Sequence, residues 1–294
     1  MPLVDLLRRT IPAARRVACR GVFHGTFRDT LRAGVAGAVA LALPNLCVLC
    51  GNSCGNSSRH IVCRTCDAAY WNEPRLRCVQ CALPLAVVPA HVARGTAHRS
   101  ARRDYRCARC RDAPPPFDAT LALADYRPPL DALALDLKFR ARIAIGAWFA
   151  ERLAHAAVAL PAEPADAPGT AAARAGLPDV LAPVPLARAR LVERGYNQAW
   201  EIARPLARAL AVPAAPALIA RRHDTAPQSR LDEASRHANV ARAFAVTGDV
   251  RGRHVGIVDD VMTSGATLAA LAATLRHAGA RRVTNFVALR TARD

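Results

Sequence analysis

With 294 residues, 52% of them hydrophobic, and a formal charge of +18, the chain has room for two domains. Residues 1–112 hold 18 arginines against 6 acids, and so 12 of the 18 excess charges; such a third suits a polyanion-binding surface or a merely soluble, arginine-rich face. Ten cysteines in a secreted chain would mean disulfides, but their pairing at two-residue gaps excludes that class, and no apolar run is long enough to cross a bilayer.

In chain order, residues 1–40 read as a basic N-terminal extension. Its first thirty residues suit an amphipathic arm, a disordered tail, or a start codon assigned too early. Ala33–Leu43 is apolar but only about a dozen residues long, and reads as a helix packing against the cysteine-rich segment after it rather than as an export signal or membrane span.

Residues 41–115 carry four Cys-x-x-Cys pairs: Cys47/Cys50, Cys63/Cys66, Cys78/Cys81 and Cys107/Cys110. A two-residue gap puts both sulfurs on one knuckle and suits a tetrahedral Zn²⁺ thiolate site. Taken in order, the pairs predict two Cys₄ zinc ribbons; interleaved pairing and redox pairs are the alternatives. Cys54 lies close enough to the first site to compete as a ligand, and Cys19 reads as a free thiol. Reduced, metal-bound cysteine points to a cytoplasmic protein. Tyr70, Trp71 and Tyr105 suit either base stacking on single-stranded DNA or the ribbons' small cores.

The run Ala113-Pro114-Pro115-Pro116 is a stiff linker. Residues 116–294 then alternate strands with helices, which predicts an α/β domain with a parallel sheet flanked by helices on both faces. The expected strands are Phe117–Tyr126, Val180–Val184, Ala217–Ala220, Ala243–Val246, the run ending at Asp259-Asp260, and Arg282–Leu289. Helices are expected after Pro128-Pro129 (Leu130, Leu133 and Leu137 on one face), over about Ile143–Leu160, over Asn197–Leu210, and after Gly265. Residues 161–178, rich in Pro, Ala and Gly, read as a flexible insertion.

Three segments of this domain carry chemistry. In Val255–Thr267 an apolar strand ends on Asp259 and Asp260, and the turn Thr263-Ser264-Gly265-Ala266-Thr267 opens a helix. Amides of such a turn cradle a phosphate, Gly265 permits close approach, and the hydroxyls add donors. The two carboxylates can accept from the vicinal hydroxyls of a ribose. Upstream, Pro185 leads into a basic turn with Arg188, Arg190 and the compact group Arg194-Gly195-Tyr196-Asn197, a pyrophosphate loop in which arginine forks grip phosphate oxygens. An arginine-rich helix start is the alternative for Arg188 and Arg190. Gln228, Arg236 and Asn239 lie in a polar stretch with the composition of any solvated loop, at the place where phosphoribosyltransferases, whose signature the acid pair and turn resemble, carry a mobile loop that closes over the substrate.

The acid pair and hydroxyl turn closely resemble the PRPP-binding signature of type I phosphoribosyltransferases. Thr263 stands where hypoxanthine–guanine enzymes carry an aspartate, which argues against that subclass. Over about residues 41–292 the chain resembles the ComF family (ComF/GntX type). The resemblance rests on Pro44-x-x-Cys47-x-x-Cys50-Gly51, the paired knuckles, Phe117-Asp118 leading to Tyr126, Lys138-Phe139, Pro183-Val184-Pro185, Glu193–Gln198, and Gln228, Leu231, Arg236 and Asn239 ahead of the acid pair. The long basic N-terminus, the 82–106 stretch inside the second ribbon and the 161–178 insertion depart from the family.

The resemblance implies a double zinc ribbon on a type I phosphoribosyltransferase fold, acting in uptake or use of external single-stranded DNA, as in natural competence. It implies two structural Zn²⁺ ions, PRPP with Mg²⁺, and DNA-uptake or recombination proteins as partners. Catalysis would displace pyrophosphate from C1 of PRPP, with Asp259 and Asp260 orienting the ribose, residues 263–267 holding the 5′-phosphate and Arg194 meeting the pyrophosphate. No residue stands out as a general base, so the catalytic residues are unknown. Rival readings are a non-catalytic PRPP- or 5′-phosphate-sensing DNA-binding protein or scaffold, and a nucleobase-salvage phosphoribosyltransferase.

Overall fold

The computed structural model describes residues 45–54, 61–71, 76–85, 105–159, 176–222 and 243–292. The chain divides between Cys63 and Arg64 into two units. In the first, two backbone bonds close a knuckle, Gly51 N–H to the Cys47 carbonyl (2.8 Å) and Cys47 N–H to Asn52 (2.7 Å). The second knuckle, in the other unit, closes in the same way, Ala82 N–H to Cys78 and Cys78 N–H to Leu83, both 2.8 Å. The residue after each knuckle's second cysteine is left-handed, Gly51 at φ +74° and Ala82 at φ +56°.

The second unit contains α1 (Arg64–Trp71), α2 (Ala108–Asp112), β1 (Ala119–Asp125), α3 (Asp131–Phe139), α4 (Ala144–Val158), β2 (Val180–Pro183), α5 (Arg188–Arg194), α6 (Gln198–Leu210), β3 (Ile219–Arg221), β4 (Phe244–Val246), β5 (His254–Met262), α7 (Ala266–His277) and β6 (Arg282–Arg290). Four strands form an all-parallel sheet in the order β1-β6-β5-β2. The central strands β5 and β6 are buried almost throughout, as the near-continuous apolar run of β5 predicts. Val255 and Ile257 pack with Val283, Val287 and the α7 leucines 268, 271 and 275 in one core cluster. Helices α4 and α6 pack so closely that a Cβ on Gly146 would lie 2.8 Å from the Glu201 carbonyl oxygen.

The predicted parallel sheet with flanking helices is present. Three details differ. β3 and β4 do not join that sheet but pair antiparallel with each other, which a loop can connect without a crossover helix. β5 runs three residues past Asp259, because its partner β6 continues to Arg290 and keeps the ladder paired. The basic turn expected after Pro185 is helical over Arg188–Arg194, the alternative reading for Arg188 and Arg190, and ends at Gly195 with φ +79°. Trp71 packs against Trp148 in a tilted arrangement (4.8 Å between ring centroids), so it belongs to the packing of α1 against α4.

Candidate functional site

The sheet's parallel order places the carboxyl ends of β2 and β5 side by side, where ligands bind in open α/β folds. A cleft of about 620 Å³ opens there, lined by Lys138, Pro185, Arg190, Arg194, Tyr196, Asp259, Asp260 and Thr267 among others. The structure therefore gathers the acid pair, part of the basic segment and one hydroxyl of the turn around one space. Arg188 does not appear among its lining residues. Gln228, Arg236 and Asn239 lie outside the described residues, as does Cys19.

Asp260 is 2% exposed and faces Lys138, whose Nζ stands 2.9 Å from a carboxylate oxygen. Asp259 is half-buried and accepts the Asp260 N–H at 2.9 Å. Burial, and then the charge of Asp260, push the Asp259 carboxyl well above the usual carboxylate range, with Lys138 pulling weakly the other way. Sequence reasoning missed Lys138 as a site residue. Its signal was available, as the only lysine among forty-one basic residues and part of the Lys138-Phe139 motif.

The turn after the acid pair turns most of its residues outward. Gly265 adopts φ +81° and caps α7, and Thr263, Ser264, Ala266 and Thr267 are exposed around it. Elsewhere along the cleft, Asn197 caps α6 by accepting the Ala199 N–H (3.0 Å), while its amide donates to the Val184 carbonyl (3.0 Å) and ties the loop to the end of β2. Arg194 lies over the Phe139 ring, 5.3 Å from its centroid, and donates to Gln198. The Tyr196 hydroxyl donates to the Leu137 carbonyl, and burial raises its pKa. Arg194 and Tyr196 thus hold the C-terminal end of α3, and with it Lys138, beside the acid pair.

The cysteines gather as two tetrads in sequence order, Cys47-Cys50-Cys63-Cys66 and Cys78-Cys81-Cys107-Cys110. Within each, all four sulfurs lie within 4.8 Å of one another. Cys50 to Cys63 and Cys81 to Cys107 are both 3.7 Å, close to the roughly 3.8 Å edge of a tetrahedron with 2.3 Å Zn–S bonds. The residues fit zinc on both geometry and donor type. Cys54 is outside the first tetrad, and burial with the neighbouring thiols pushes its pKa up to about 11. The second tetrad is part of the sheet's own core, since Cys78, Cys81 and Cys110 share the cluster of Val255 and Leu271.

Residues 197–293 match the phosphoribosyl transferase domain family. Over 251 residues the chain is 34% identical to DNA utilization protein YhgH of Salmonella typhimurium, covering 85% of this chain and 99% of that protein. It is 33% identical to DNA utilization protein YhgH of Escherichia coli K12 over the same shares of both chains. Competence protein F of Haemophilus influenzae is 32% identical over 180 residues, 60% of this chain and 75% of that one. Among the described residues no helix is long and apolar enough to cross a membrane.

Proposed function

The chain belongs to the ComF family, and from that membership we propose that it binds PRPP with Mg²⁺ in the cleft and serves the uptake or utilisation of single-stranded DNA in the cytoplasm. The names of its relatives, DNA utilization protein and competence protein, support the DNA role. The observation that carries the ligand is the meeting of Asp259 and Asp260 with Arg194 and Thr267 around one cleft. In this reading residues 41–115 form the double zinc ribbon, 116–294 the phosphoribosyltransferase-like domain with its 161–178 insertion, and 1–40 a basic extension available to DNA.

Each group has a role in the bound state. Asp259 and Asp260 accept from the ribose 2′ and 3′ hydroxyls. Residues 263–267 bind the 5′-phosphate through amides and hydroxyls. Arg194 and Arg190 face the pyrophosphate; Mg²⁺, when bound, would be held mainly by ligand oxygens and water and would offset phosphate charge. If C1 is attacked, the C1–O bond to pyrophosphate breaks as the bond to the nucleophile forms, and the arginines neutralise the charge of the leaving group. The tetrads hold two structural Zn²⁺ ions.

Calorimetry of PRPP with MgCl₂ tests the ligand. We expect saturable binding that falls at least tenfold in Asp260→Asn; wild-type protein that takes up no PRPP would overturn the reading. Pyrophosphate release from PRPP, alone or with DNA or nucleobases present, then tells turnover from ligand sensing.

A further inference from the structure

We propose that Arg290 is a positioning residue that couples the second cysteine tetrad to the sugar-phosphate turn, so that metal in the tetrad and ligand in the cleft favour one another. Arg290 closes β6 and is 1% exposed. Its Nε donates to the Cys81 carbonyl at 2.9 Å. Its Nη1 donates to the carbonyls of Met262 (3.0 Å), Thr263 and Thr291 (2.8 Å). One guanidinium thus bonds a metal-ligand residue on one side and the first residue of the turn on the other.

The bonds to Met262 and Thr263 bear on recognition through peptide geometry. In a trans peptide the C=O and the following N–H point in opposite directions. Carbonyls of Met262 and Thr263 held on the buried guanidinium therefore turn the N–H groups of Thr263 and Ser264 away from it, to the exposed side of the turn. A second bond, from the Thr291 N–H to the Met262 carbonyl at 3.0 Å, fixes the same peptide. Without Arg290 both carbonyls lose their charged donor; the Met262 peptide keeps its bond from Thr291, while the Thr263–Ser264 plane is free to rotate.

The bond to Cys81 ties this arrangement to the tetrad. The second knuckle is anchored to the sheet independently by Gln80, whose amide donates to Phe117 (3.0 Å) and whose carbonyl accepts from the Thr120 hydroxyl (2.6 Å). Arg290 is the link that continues from the knuckle to the turn. Electrostatics favours the link when the tetrad is filled. The named acceptors of Arg290 are neutral carbonyls, and the cation, 1% exposed, has lost most of its contact with water. Four thiolates around Zn²⁺ leave a net negative charge beside it, which offsets that cost.

The ligand half of the proposal rests on PRPP binding in the cleft, so the test reads the turn separately from the ligand. Amide resonances of Thr263–Thr267 are recorded in the zinc-loaded protein and in Cys107→Ala, Cys50→Ala and Arg290→Lys, alongside zinc content. Coupling through Arg290 predicts shifted turn amides in Cys107→Ala and in Arg290→Lys, the latter with both zinc ions retained, and an undisturbed turn in Cys50→Ala. In calorimetry the two disturbed variants bind PRPP about tenfold more weakly. By reciprocity, PRPP with Mg²⁺ slows chelator-driven release of one zinc equivalent in wild type but not in Arg290→Lys. Should the variants not fold, that release experiment on wild type decides, and release unaffected by bound PRPP overturns the proposal. So does an unmoved turn in Cys107→Ala or Arg290→Lys. If wild type binds no PRPP, the functional reading fails while the amide resonances still decide the role of Arg290.

Discussion

Lys138 Nζ stands 2.9 Å from the buried carboxylate of Asp260, in the cleft that Thr267 also lines. The lysine neutralises one of two adjacent acids and leaves the other, Asp259, to bear the repulsion. A cation at this point also favours a polyanionic ligand over a neutral one.

Lys138→Gln removes the charge and strands a carboxylate that is 2% exposed. Breaking such a pair costs about 3 kcal/mol near neutral pH. Chemical unfolding of Lys138→Gln and of the double variant Lys138→Gln/Asp260→Asn checks this; a deficit that the second substitution does not relieve would show that the loss is one of packing.

Asp259 is the member of the acid pair whose charge is disfavoured. Its folded pKa is raised, so the folded state holds a proton that the unfolded state has released, and stability falls as pH climbs from the ordinary carboxylate range through the raised value. Asp259→Asn removes that penalty and should raise Tm at pH 8 by ~2–5 °C, with little gain at pH 4. The same variant should bind PRPP at least tenfold more weakly, a stability gain at the expense of function. Wild-type affinity should fall as the pH drops through the raised value and the ribose acceptor is neutralised.

His254, at the start of β5, is 3% exposed, and its pKa is lowered to about 4 chiefly by burial and then by Arg282. Its Nδ1 meets the Leu177 carbonyl at 3.0 Å and its Nε2 the Thr284 hydroxyl at 2.8 Å. Those partners suit a neutral ring that donates from Nδ1 and accepts at Nε2. A depressed histidine pKa makes the unfolded state the stronger proton binder between about pH 4 and 6.5, so stability is full above that window and lost as pH falls through it. The loss is about 3 kcal/mol. Denaturation across the window should show this slope in wild type and a flatter one in His254→Asn.

How much of this was legible in the sequence depends on how local each feature is. The cysteine pairs and the acid–turn signature are consecutive, so their spacing alone predicts knuckles and a glycine turn that opens a helix after the acid pair. The apolar runs of β5 and β6 announce buried parallel strands. Arg188–Arg194 carries too little apolar periodicity to announce a helix, and none of its residues is buried. β3 and β4 are three residues each, too short for alternation to reveal their partner. Lys138 with Asp260, and Arg290 with Cys81 at a separation of 209 residues, meet only because the sheet order brings them together. Such pairings depend on topology, which a single sequence does not print.

The place of the second tetrad in the core sets the cost of metal removal. Cys78, Cys81 and Cys110 are at most 8% exposed and pack with Val255, Leu268 and Leu271. Stripping zinc removes the ion that draws the four sulfurs together and leaves thiols without their common partner inside that cluster, so the damage extends beyond the knuckle into the sheet. A strong chelator at neutral pH should lower Tm by roughly 10 °C or more, with recovery on adding zinc. Unchanged unfolding after zinc loss would sink the structural role assigned to the tetrads.

Gly265 tests the turn itself. It sits at φ +81° as the cap of α7, where an L side chain is strained, and an added Cβ would lie 2.5 Å from Met262 Cε. The methionine tip can swing aside, so the backbone carries the cost, about 1–2 kcal/mol for alanine. Asparagine tolerates the left-handed region better and should cost less stability than alanine. Both substitutions add a side chain at the point where a phosphate must approach the main chain, so both should weaken PRPP binding by a similar factor. Stability ranked Gly, Asn, Ala with affinity reduced alike in the two variants would separate conformational strain from steric exclusion. If Gly265→Asn instead binds PRPP as wild type does, the ligand's phosphate does not rest on this turn.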